Sequence, residues 1–215
     1  MSCQFYGRRK LLDEMAELWR KPTAKLMTCR GRRRIGKSTL VEHFAREGEA
    51  TFWSFEGLPP QPRMTNQDQL NAFARRLAEL AKTSLEHFNS WFDAFKALAE
   101  HLPKDQRVVL LLDEISWMGK YDPNFPGELK FAWDQRWHSQ SELIVVVCGS
   151  VSSWINASFH RNRCSKPAGF LLAGHGCPRT LDRGGVRFLG RVAFAYRTVG
   201  NTRRSFCDRR CSAVP

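Results

Sequence analysis

Cys29-Arg30-Gly31-Arg32-Arg33-Arg34-Ile35-Gly36-Lys37-Ser38-Thr39-Leu40 fits the pattern G-x-x-x-x-G-K-S/T from Gly31 to Ser38. The pattern has a mechanism. Glycines let successive backbone N–H groups curl around a phosphate, Lys37 reaches the outer phosphates, and the Ser38 hydroxyl is placed to sit on Mg2+. A helix that begins within the motif aims its N-terminus at the same anion. The flanks supply the required context: Ala24-Lys25-Leu26-Met27-Thr28-Cys29 reads as a short strand, and Leu40, Val41, Phe44 and Ala45 share one helical face between Ser38 and Glu47. Strand, glycine loop and helix therefore follow in order, and a bare Gly-bearing turn with a basic patch is the weaker reading.

A second landmark completes the chemistry. Arg107-Val108-Val109-Leu110-Leu111-Leu112-Asp113-Glu114 is a continuous apolar run ending in two carboxylates, as expected for a parallel strand buried on both faces. This is a Walker B pattern. An acid at the carboxyl end of such a strand lies in the crevice where open α/β sheets bind ligands, so Asp113 is expected to meet the Mg2+ that Ser38 also holds. Glu114, next along the strand and facing the opposite way, is expected to orient or deprotonate an attacking water. The competing reading is a strand that ends in a solvated acidic turn. A third apolar run, Glu142-Leu143-Ile144-Val145-Val146-Val147-Cys148-Gly149-Ser150, ends in a small polar residue, and Ser150 is the candidate to sense the γ-phosphate or hold the water. A Gly-Ser turn with no nucleotide contact is its alternative.

The remaining segments read as the frame around these motifs. Leu11, Leu12, Met15, Leu18 and Trp19 recur at helical spacing before Pro22, and Ala50 to Glu56 is rich in aromatic and β-branched residues, as in a strand. Thr65 with Asp68 three residues on predicts a capped helix start, with Leu70, Phe73, Ala74, Leu77, Leu80 and Ala81 on one face. Phe88, Trp91, Phe92, Phe95, Leu98, Ala99 and Leu102 predict a second amphipathic helix, its aromatic stripe read as core packing rather than as a base-stacking surface. Residues 115–127, with Pro123 and Pro126, read as a loop, and Glu128 to His138 as a helix.

Composition places limits on this frame. A 215-residue chain with 42% hydrophobic residues, 15 Phe and 7 Trp carries enough apolar surface for one sizeable core. No run approaches the about 18 apolar residues that span a bilayer, which excludes a membrane-spanning helix. The N-terminus lacks the apolar stretch of a secretory signal, so a cytoplasmic location and reduced cysteines are expected. The net charge of +13 is unevenly spread: residues 1–154 hold 22 Lys and Arg against 19 Asp and Glu, residues 155–215 hold 12 against 2.

Phe5-Tyr6-Gly7-Arg8, Gly31 to Ser38, Phe55-Glu56-Gly57-Leu58, Leu110 to Met118, and Cys148-Gly149-Ser150 with Ser153-Trp154-Ile155 together resemble the archaeal-type ATPases of the STAND group of AAA-like P-loop proteins, also found in bacteria. The resemblance covers about residues 5–155. It implies an α/β, three-layer P-loop NTPase of the ASCE type with a parallel sheet, in which the strand ending at Ser150 lies between the phosphate-loop strand and the strand ending at Asp113. It also implies that Tyr6, Gly7 and Arg8 lie near the adenine, and that ATP binding and slow hydrolysis with Mg2+ act as a switch coupled to further domains. Arg32, Arg33 and Arg34 occupy free positions of the loop, along with Ile35. Two readings of the arginines stay open: contact with a protein partner, a neighbouring subunit or nucleic acid, or a solvated basic surface.

Beyond residue 156 the character changes. Residues 157–215 form an irregular basic tail with Cys164, Cys177, Cys207 and Cys211, eleven arginines against one lysine, and no sustained apolar period. The joint shift is read as out-of-frame translation or a damaged gene that cuts a larger ATPase short of its helical lid. A natural basic arm contacting nucleic-acid phosphates through Arg203-Arg204 and Arg209-Arg210 is the competing reading. The expected organisation is thus an ATPase domain over 1–156, with the tail poorly ordered. The expected activity is ATP hydrolysis through Glu114, Lys37 and Ser150, on a cradle of Gly31 to Thr39. A nucleotide-binding remnant without turnover is the alternative.

Overall fold

The computed structural model describes residues 9–20, 23–30, 34–149 and 187–192, the last of these in backbone only. Four parallel strands form its centre: β1 (Lys25–Arg30), β2 (Thr51–Glu56), β3 (Val108–Asp113) and β4 (Leu143–Gly149). Their order is β2-β3-β4-β1, so β4 is inserted between the strand before the phosphate loop and the strand ending at Asp113. That is the insertion implied by the family resemblance. A fifth strand, β5 (Arg187–Val192), pairs antiparallel with the free edge of β1 in a stretch whose sequence shows no sustained period.

Helices cover both faces, giving the three-layer α/β arrangement typical of P-loop NTPases. On one face lie α1 (Arg9–Ala16), continued by a 3-10 turn to Arg20, and α2 (Lys37–Glu47). The other face carries α3 (Asn66–Ala81) and α4 (Trp91–His101), followed after β3 by a one-turn α5 (Ile115–Met118) and by α6 (Phe125–Ala132), which runs into a π-helical turn at Trp133–Trp137. All residues of β3 and β4 are buried. Strand alternation divides them: Val109, Leu111, Ile144, Val146 and Cys148 face α1 and α2, whereas Leu110, Leu112, Val145 and Val147 face the other layer. No helix among the described residues is long and apolar enough to cross a membrane.

Local chemistry explains most boundaries. Thr65 caps α3 with its side chain on the Asp68 amide while the Asp68 carboxylate returns to the Thr65 N–H at 2.8 Å, the reciprocal box that the spacing predicts. Ser90 caps α4 on the Asp93 amide. Two expectations are corrected. The segment 115–127 is not a continuous loop, because Pro126 sits in the first turn of α6, where its missing N–H costs nothing, and fully buried Phe125 anchors that turn. Phe92 leaves the core stripe: it follows Trp91 by one position, about 100° around the helix, and is 40% exposed beside Phe131.

Candidate nucleotide-binding site

The site is assembled where the ends of β1, β3 and β2 meet the head of α2. Arg34 and Gly36 both adopt left-handed backbone, with φ of 60° and 75°, and Gly36 is the residue from which α2 departs. Gly36 supplies its carbonyl to the Leu40 amide at 3.1 Å and so opens the helix. Ile35 packs against the cluster beneath α2, which ties the loop to the core, while Arg34 and Thr39 are exposed. Lys37 is only 6% exposed.

Asp113 sits at the end of β3, and its strand parity is that of Val109 and Leu111, the face covered by α2. The parity has a direct result: the Ser38 hydroxyl donates a hydrogen bond to Asp113 Oδ2, joining residues 75 apart in sequence. The other carboxylate oxygen, Oδ1, accepts the Glu114 N–H at 2.8 Å. Asp113 is thereby oriented by two contacts and is 9% exposed. A hydroxyl and a carboxylate oxygen in contact are the hard donors that suit Mg2+, which takes few protein ligands and completes its shell with phosphate oxygens and water. Among the described residues no group of three or more His, Cys, Asp or Glu is arranged to hold a metal.

Glu114 departs from the sequence expectation in one respect. Its direction is not set by strand alternation, since β3 ends at Asp113 and Glu114 lies at φ 44°, at the start of α5. The Glu114 carbonyl instead accepts the amides of Trp117 at 2.8 Å and Met118 at 3.2 Å. A left-handed glutamate is held by its surroundings, because a side chain at positive φ costs on the order of 1 kcal/mol or more.

One acidic neighbour is absent from the sequence-based site. Glu56 closes β2 and is the register partner of Asp113. Its carboxyl is pushed above the usual carboxylate range by loss of solvation first, then by the charges of Asp113 and Glu114. The signal was present: Glu56 is an acid at the carboxyl end of a strand beside the one ending in Asp113. Cys29 and Cys148 are also register partners, fully buried in the cluster beneath α2 and without a disulfide. The Cys148 thiol is pushed up by its hydrogen bond with Cys29 first and by burial second, so it stays neutral.

Tyr6, Gly7, Arg8, Gly31, Arg32, Arg33 and Ser150 lie outside the described residues. Gly149, the last residue of β4, is the register partner of Arg30, the last residue of β1.

No family model matches the chain, and no curated protein matches it either. Among solved structures it is similar to a Walker-type ATPase of Pyrococcus abyssi, with 17% identity and a TM-score of 0.49 over 72% of this chain and 48% of that one. It is also similar to Drosophila ORC bound to DNA, at 18% identity and a TM-score of 0.48 over 70% of this chain and 40% of that one. Cdc6p of Pyrobaculum aerophilum gives 16% identity and a TM-score of 0.47 over 74% and 41%. The chain thus spans less than half the length of these three structures, and at such identity the likeness concerns the fold alone.

Proposed function

We propose that the chain binds Mg-ATP and hydrolyses its β–γ phosphoanhydride, the nucleotide cycle acting as a conformational switch of the AAA-like STAND kind. The observation that carries this reading is the hydrogen bond between Ser38, on the first turn of α2, and Asp113, at the end of β3. It brings the two motifs to one point. Ser38 and Asp113 would hold Mg2+, which when bound neutralises charge on the β- and γ-phosphate oxygens. Lys37 and the loop amides of Gly31 to Thr39 stabilise the same charge from the other side.

Glu114 accepts a proton from the water that attacks the γ-phosphorus in line. The new P–O bond forms as the bond to the β–γ bridging oxygen breaks, releasing ADP and inorganic phosphate, and the proton passes from Glu114 to solvent. Ser150 is assigned to hold that water, and Tyr6, Gly7 and Arg8 to border the adenine. Arg32, Arg33 and the exposed Arg34 are assigned to a protein partner or a second copy of the chain. Residues 1–156 carry the ATPase unit, in the cytoplasm, and the basic residues 157–215 follow it and add β5 to the edge of its sheet.

Phosphate release and Mg-ATP binding, measured on the full chain, test the reading. Glu114→Gln should lower turnover by about a hundredfold or more while keeping affinity, and Lys37→Ala should abolish binding. Unchanged turnover in Glu114→Gln removes its catalytic role. A wild-type chain that binds Mg-ATP without turnover is a nucleotide-binding module instead, and one that does not bind removes the whole reading.

A further inference from the structure

Helix α3 carries a polar side chain in its apolar face: Gln69 is 2% exposed between Asp68 and Leu70. Its amide holds both backbone groups of one residue, and Nε2 also donates to Met64 Sδ at 3.5 Å. The Leu58 N–H donates to Gln69 Oε1 at 2.9 Å, and Gln69 Nε2 donates to the Leu58 carbonyl at 3.0 Å. These are the two bonds a neighbouring strand would make. Here they are supplied by a side chain, because Pro59 and Pro60 follow directly and cannot donate to a ladder.

The residue before Leu58 touches the catalytic turn. The Gly57 N–H donates to the Asp113 carbonyl at 3.0 Å. A Cβ on Gly57 would lie 2.6 Å from the Met118 nitrogen, 2.7 Å from the Glu114 carbonyl oxygen and 3.1 Å from the Trp117 Cβ. The connector after β2 is therefore pressed, backbone to backbone, against the turn that holds Glu114 at φ 44°. Left-handed glutamate persists only where its surroundings over-determine it.

We propose that Gln69 is a positioning residue for Glu114: by pinning Leu58 it keeps Gly57 seated on the turn from Asp113 to Met118, and so fixes the carboxylate that activates water. This rests on the assignment of Glu114 made above. In this role Gln69 acts through the backbone of Leu58 and Gly57. A buried Gln that merely satisfied Leu58 would affect folding stability, not the conformation of Glu114.

The full chain with Gln69→Met, which keeps the side-chain volume and loses both bonds, and with Gln69→Glu, which keeps the acceptor for the Leu58 N–H, tests this. Turnover should fall about tenfold to a hundredfold in Gln69→Met and less in Gln69→Glu, with Mg-ATP affinity unchanged. Hydrogen exchange should quicken at the Trp117 and Met118 amides, which rest on the Glu114 carbonyl, and stay unchanged at Val145 and Val146 in β4. The proposal is overturned if turnover and exchange at Trp117 and Met118 match the wild type, or if affinity falls with turnover. Exchange that quickens equally across β3 and β4 also overturns it. If the wild-type chain binds Mg-ATP without turnover, the ATPase reading fails on its own, and exchange at Trp117 and Met118 still decides whether Gln69 holds the turn.

Discussion

On one face of the sheet Phe55, Phe73, Trp91, Phe95, Phe125 and Trp137 form a continuous ring network, whereas under α2 the contacts come mainly from Leu40, Val41, Ala45, Cys29 and Cys148, with one ring pair, Phe44 on Trp19. Within the network Phe55 stacks on Phe73 at 4.4 Å between centroids, and Trp91, Phe95 and Phe125 meet largely edge to face. Large rings bury much surface per residue and hold β3 and β4 from behind. The packing of α2 on the sheet places Ser38 against Asp113. The ring layer supports the sheet, and the α2 layer both supports it and brings Ser38 to Asp113.

The comparison breaks most visibly on the ring face. Phe95→Ala, at a fully buried position, should cost about 3–5 kcal/mol in urea unfolding, yet Mg-ATP affinity of the remaining folded protein should be unchanged. Leu40→Ala, equally buried in α2, is the counterpart, with a cost of about 2–5 kcal/mol, and calorimetry should show weakened Mg-ATP binding because the same helix carries Lys37 and Ser38. Equal loss of affinity in both variants would erase the distinction between the faces.

A smaller effect sharpens it from outside the core. Thr65→Ala removes the cap of α3 and should lower stability by about 1 kcal/mol in thermal or denaturant unfolding, leaving binding intact. The smallest concerns the seam between β2 and β3. Glu56 has its proton affinity raised in the folded protein, so its charge opposes folding above that raised value. Glu56→Gln should therefore give a small gain in melting temperature at neutral pH. The gain should shrink as pH falls from the raised value towards the ordinary carboxylate range, where wild-type Glu56 is itself neutral. A gain independent of pH would mean that the Glu56 charge, with its lost solvation and its repulsion from Asp113 and Glu114, is not its source.

How far the sequence reaches is clearest at β3. Five apolar residues before Asp113 define a strand buried on both faces, and counting by twos places Asp113 with Val109 and Leu111 on the α2 side. The same count places Glu56 with Phe52, which packs on that side too, so this third acid was legible but unweighted. Counting failed at Glu114, because alternation ends with the strand and a left-handed residue follows. It failed differently at Phe92, where an aromatic stripe wider than one helical face could not all turn inward. Lys37, Ser38 and Gly36 lie where their spacing predicts, at the head of α2, as parts of one contiguous motif.

By itself the sequence determined the elements and the chemical inventory: a glycine loop opening a helix, a buried strand ending in acids, and capped amphipathic helices. These are local, since period, capping and turn preference act within a few residues of one another. Only the tertiary structure decided that Ser38 and Asp113 share a direct hydrogen bond, that Glu56 lies within reach of the charges of Asp113 and Glu114, and that Gln69 reaches Leu58. Those contacts join chain segments brought side by side by strand order and helix packing, and no local preference specifies which distant residues the closed sheet will bring within a hydrogen bond.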